Sequence, residues 1–79
     1  MIGSNKLNKE IVCYPIFDEN KIVEWFAIVN DDPIGCSSFK KLRLEILKIM
    51  PNAILKQSSV SLSFGEKIDL VIKYKNEKV

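Results

Sequence analysis

Two cysteines and no histidine set the limits on the chemistry open to this chain. Without an imidazole there is no side chain whose ordinary pKa suits proton transfer near neutrality, and the commonest transition-metal ligand is missing. Cys13 and Cys36 alone fall short of the four ligands of a structural zinc site. No glycine-rich phosphate motif and no nucleophile elbow occurs in the sequence. The expectation is a protein that is not an enzyme, with no catalytic residues, no metal and no cofactor.

Cys36 carries the one nucleophile argument. It lies just before an expected helix start, where the helix dipole favours a thiolate. The competing reading is a small residue tucked beneath a sheet, and Cys13 reads as plain core. Gly35-Cys36-Ser37-Ser38 followed by Lys40-Lys41 has the makings of an anion site at a helix amino-terminus, although any capped helix offers as much. Asp18-Glu19 and Asp31-Asp32 lack the spacing of a calcium loop and fit turns, where aspartate bonds to backbone amides.

Two binding surfaces remain. Lys40, Arg43, Lys48, Lys56, Lys67, Lys73 and Lys75 are basic positions that a compact fold can gather into a nucleic-acid surface, since phosphate contacts need only positive charge. The charge is asymmetric: residues 1–36 carry three basic and six acidic side chains, a net −3, and residues 37–79 carry nine and four, a net +5. Against a dedicated nucleic-acid domain stand a total of only +2, a single arginine and, for stacking, Tyr74 alone. The second surface is apolar. Tyr14, Ile16, Val23 and Trp25 share one face of an expected hairpin, and tyrosine and tryptophan are enriched at interface hot spots.

The elements that position these residues follow from the hydrophobic pattern. Ile11–Phe17 and Ile22–Val29 are β-branched and aromatic and read as two strands joined at Asp18-Glu19-Asn20-Lys21. A register pairing Phe17 with Ile22 sets Tyr14 against Trp25, Cys13 against Phe26, Ile11 against Ile28 and Pro15 against Glu24. Pro15 then requires an edge strand or a bulge. Both faces of this hairpin are apolar, so a helix on one face leaves the other in need of a cover. Asn30–Cys36 reads as a turn-rich connection. Ser37 or Ser38 caps a helix that Pro51 stops, with Phe39, Leu42, Ile46, Ile49 and Met50 as its buried stripe, widened by Leu44 and Leu47. Ile54-Leu55 forms a short strand or a core plug. Ser59–Phe64 and Ile68–Lys75 alternate and read as a second hairpin about Gly65-Glu66-Lys67.

The expected fold class is therefore α+β in the order ββαββ: a mainly antiparallel four-stranded sheet with one helix on one face. In element order it resembles a ubiquitin-like β-grasp, although no motif of that family is present. A flexible segment, 1–10, precedes one domain over 11–79. A chain of 9.0 kDa buries roughly 63% of its unfolded surface, enough for a core of its own. No apolar run approaches the roughly 20 residues of a membrane span, no secretory leader is visible, and two cysteines fit a reducing compartment, so the expected location is cytoplasmic without membrane contact. The functional expectation is a small protein-binding or regulatory domain (an inhibitor, antitoxin-like protein or adaptor) acting through the first hairpin on another protein or on itself as a homodimer. Nucleic-acid binding through the helix and the last hairpin is the alternative.

Overall fold

The computed structural model describes residues 9–77. Six elements follow one another: β1 (Lys9–Asp18), β2 (Lys21–Val29), β3 (Asp32–Cys36), α1 (Phe39–Ile49), β4 (Ala53–Gln57) and α2 (Phe64–Glu77). The strands make one mixed sheet in the order β3-β2-β1-β4. β1, β2 and β3 form an antiparallel meander, and β4 returns through α1 to lie parallel to β1. The α+β class stands; among the described residues the order is βββαβα rather than ββαββ, with two helices rather than one and a mixed rather than mainly antiparallel sheet. Of the expected flexible segment, residues 1–8 lie outside the described residues, whereas Lys9 and Glu10 open β1 and pair with Ala53 and Ile54.

Both turns of the meander have two residues in the left-handed region. Glu19 and Asn20 have φ of 52° and 68°, and Asn30 and Asp31 have φ of 51° and 70°. A pair of left-handed residues gives the turn whose twist matches that of a hairpin. Asn and Asp tolerate this conformation by bonding locally; Glu19 has no such allowance. The second turn explains β3. Asn30-Asp31 is a hairpin turn inside what reads as a loop, because Pro33 and Gly35 are poor strand formers. Proline is acceptable here because β3 is an edge strand.

The β1–β2 register holds at the turn and shifts beyond it. Phe17 pairs with Ile22, but Ile16 pairs with Glu24, which leaves Val23 as an extra residue at a bulge. Beyond the bulge Tyr14 opposes Phe26 and Pro15 opposes Trp25, so the expected pairing of Tyr14 with Trp25 is off by one. A slip of one residue exchanges the faces of everything beyond it.

Pro15 sits in a central strand, with the missing N–H turned towards β4. Ser58 donates to the Cys13 carbonyl at 2.8 Å, Leu62 donates to the Pro15 carbonyl at 2.9 Å and Phe17 donates to the Leu62 carbonyl at 2.8 Å. Odd-numbered residues of β1 therefore face β4. Opposite Pro15 the neighbouring chain has no donor to meet, and there it leaves the sheet after Gln57 and returns at Leu62, which bridges to Ile16. The proline is accommodated by a detour in its neighbour.

One face of the sheet packs on α1. Ser38 caps this helix, its Oγ accepting from the Lys41 amide at 3.2 Å. Leu42 and Ile46 are buried against Ile11, Cys13, Ala27 and Val29, with Trp25, Ile34, Cys36, Phe39 and Met50 half-buried around them. Ile49 and Leu44 point to solvent and are not part of the stripe.

Across part of the other face lies α2, where the sequence reads as a second hairpin. Ser63-Phe64-Gly65-Glu66 is a capping box: the Ser63 amide donates to the Glu66 carboxylate at 2.8 Å, and the Glu66 amide donates to Ser63 Oγ at 3.2 Å. Two amides that a helix start leaves unsatisfied are met reciprocally. This cap, followed by Leu70, Val71 and Tyr74 at helical spacing, outweighs the alternation of Leu62, Phe64, Ile68, Leu70, Ile72 and Tyr74. The need for a second cover, legible in the doubly apolar first hairpin, is met in part by this helix.

Candidate functional site

Under α2 the sheet presents Val12, Tyr14, Ile16, Phe26 and Ile28, with Glu24 and Gly35 towards β3. Ile16 and Phe26 are fully buried. Lys67 reaches down from α2, and its ammonium donates to both oxygens of the Glu24 carboxylate at 2.9 Å. It also stands 5.3 Å from the centre of the Phe26 ring, a cation–π distance. The Glu24 carboxylate lies over Gly35, where any β-carbon would run into it. Glycine at 35 thus makes room for the acid that anchors α2. Nearer the open end, Tyr14 lines a shallow hollow with Leu62, Leu70 and Lys73.

The flank of α2 turned away from this anchor is apolar. Phe64, Ile68 and Ile72 follow one another at i, i+4 and i+8 and keep 44%, 57% and 51% of their surface exposed. Val60, in the lead-in to the helix, is 60% exposed. On a helix turning about 100° per residue these positions form one ridge. The charges along α2 are Glu66 and Asp69 in its first half and Lys73, Lys75 and the final Glu77 in its second. Lys67, the remaining charge of the central turns, is engaged with Glu24.

The hairpin residues singled out by sequence do not form one surface. Tyr14 lies on the α2 side of the sheet and Trp25 on the α1 side, where its ring meets Phe39 edge-on at 5.3 Å. Ile16 has no exposed surface and Val23 is half-buried at the bulge. The basic residues are divided as well. Lys40, Arg43 and Lys48 ride on α1, and Lys73 and Lys75 ride on α2, with the sheet between the two helices. Lys48 is drawn to Glu45 at 3.2 Å and Lys56 to Glu10 at 2.9 Å. Sequence reasoning put Lys67 in a hairpin turn and Gly35 before a helix start, and missed their meeting with Glu24 and the ridge of α2; the signal that leads to α2 is the Ser63–Glu66 capping box.

Neither thiol is activated. Burial pushes the Cys13 thiol up to about 11. Cys36 is also raised, by burial first and then by the Glu45 carboxylate, with Lys41 opposing and Glu24 adding to it. The carboxylates and burial outweigh the dipole argument for a thiolate at position 36. Among the described residues no three His, Cys, Asp or Glu side chains gather as metal ligands. No helix among them is long and apolar enough to cross a membrane. No family model, curated protein or solved structure matches the chain.

Proposed function

We propose that this domain is a non-catalytic protein-binding module whose docking face is the ridge of α2 and whose partner presents an amphipathic helix. The carrying observation is the exposed run Phe64, Ile68 and Ile72 on a helix already anchored through another side. A monomer gains nothing from large apolar side chains left in water, and such exposure marks interaction surfaces. A ridge at i, i+4, i+8 fits the groove of a second helix rather than a strand edge. The sheet leaves space beside α2 as well. Four strands span roughly 19 Å at their usual spacing, and one helix about 10 Å across covers only half of that.

The first hairpin keeps a role as the platform. Its apolar second face is what α2 sits on, so hairpin and ridge act as one unit. The test is a photo-cross-linking amino acid placed at position 72 in the full chain, with the same probe at Leu44, an equally exposed position on α1, as the control. Discrete products from position 72 and none from position 44 are expected in cells expressing the protein. Equal labelling from both positions, or no product from position 72, would refute the docking face.

A further inference from the structure

We infer that the partner helix is α2 of a second copy, packed antiparallel across a twofold axis; this rests on the ridge of α2 being the docking face. The argument is charge complementarity along the helix. The first half of α2 carries Glu66, Lys67 and Asp69, a net −1, and the second half carries Lys73, Lys75 and, as its last residue, Glu77, a net +1. A parallel neighbour would set like charge against like. An antiparallel copy sets each half of net −1 against its partner's half of net +1, brings Asp69 towards the partner's Lys73, and aligns the two helix dipoles favourably.

Geometry narrows the contacts. In an isologous pair the same patch serves both copies, so residues near the axis meet their own counterparts or near neighbours. With Ile68 lying opposite the partner's Ile72, the axis passes beside residue 70. Asp69 lies about 100° round the helix from Ile68, and Lys73 about 40° further on the same side. In an antiparallel pair the corresponding sides of the two helices meet. Asp69 then falls within about two residues, roughly 3 Å along the axis, of the partner's Lys73, and the pairing is repeated by symmetry. Lys75 lies within the ridge itself and falls beside the partner's Phe64, where its stem covers the ring and its ammonium adds a cation–π contact. Lys67 stays with Glu24 and takes no part, so dimerisation leaves the anchor of α2 intact.

The experiment is light scattering coupled to size exclusion on the full chain, at low and high protein concentration. The expected mass rises towards twice 9.0 kDa as concentration increases. Asp69→Lys alone and Lys73→Asp alone each set two like-charged pairs across the axis and are expected to elute at the mass of one chain. Mixing these two variants restores both pairs and is expected to return a heterodimer. Circular dichroism of each variant establishes that α2 is retained. A wild type that stays at one chain mass at every concentration overturns the second copy as partner, while cross-links from position 72 to a different protein would leave the docking face standing. A dimer that survives Ile68→Glu overturns the ridge as the interface. Failure of the mixed variants to pair, with each of them folded, overturns the antiparallel arrangement.

Discussion

The ion pair between Glu24 and Lys67 is the polar link that fixes α2 to the sheet, and its worth can be worked from its geometry. Two oxygens at 2.9 Å from one ammonium give a gross attraction of about 5 to 6 kcal/mol at an effective dielectric of 20. Removing both groups from water and ordering them consumes most of this. The side chains keep 25% and 20% of their exposure, between the open pairs worth up to about 1 kcal/mol and the buried ones whose breakage costs about 3 to 5. A coupling of about 1.5 kcal/mol follows. The perturbation is a cycle of Glu24→Gln, Lys67→Met and the double variant, followed by urea unfolding. Lys67→Met is the more damaging single change, about 2 to 3 kcal/mol, because it leaves a carboxylate without its cation over Gly35 and beside the face of Phe26. Glu24→Gln should cost about 2 kcal/mol, or about 10 °C in Tm for a domain of this size. The double variant should cost less than the sum by the coupling energy. Half-molar salt should change the coupling little, in contrast to the Lys48–Glu45 pair, which is 72% and 51% exposed. A coupling below about 0.3 kcal/mol would refute the reasoning, since two contacts at this distance would then be no better than a surface pair.

Two further perturbations probe the helix and the core. Ser63→Ala removes one half of the capping box and should cost about 1 kcal/mol, with amide exchange at positions 65–67 accelerating more than exchange in α1; unchanged exchange would show that the cap does not hold the helix start. The folded Cys13 thiol keeps its proton up to about pH 11, against 9.0 for the ordinary thiol. The resulting stability is fully present below pH 9 and is lost as pH rises from 9 to 11, to the extent of about 2.5 kcal/mol. Cys13→Ala should flatten that part of the stability–pH curve, and an identical slope in both proteins would rule the thiol out as its source.

The sequence was most legible where one local signal met one structural demand. Phe39–Ile49 combines a Ser38 cap, a helical stripe and a proline stop, and it forms the expected helix. The first hairpin was legible in its existence and its turn, but not in its register, because nothing local announces an extra residue at Val23. That single residue separates Tyr14 from Trp25 and dissolves the surface they were expected to form. In α2 two periods coincide: Phe64, Ile68 and Ile72 satisfy a spacing of four and, being even-numbered with Leu62, Leu70 and Tyr74, also a spacing of two. Alternation alone cannot decide between them. The capping box decides for a helix, and so does the doubly apolar hairpin, which demands a cover that another hairpin in the same sheet does not supply.

The same ambiguity bears on function. A helix with apolar residues on the sheet-facing side alone would have read as an amphipathic helix at once. What made α2 look like strands is that its apolar residues extend beyond that side, to Phe64, Ile68 and Ile72. Over Phe26 stands Lys67, and Leu62 bridges to Ile16, so the exposed ridge lies outside these contacts. Within one chain the ridge costs solubility and adds nothing to the anchor at Glu24. A second surface resolves the excess, and the order of charges along α2 favours another α2 running the opposite way. The feature that obscured the fold in the sequence is thus the feature that carries the proposed interface.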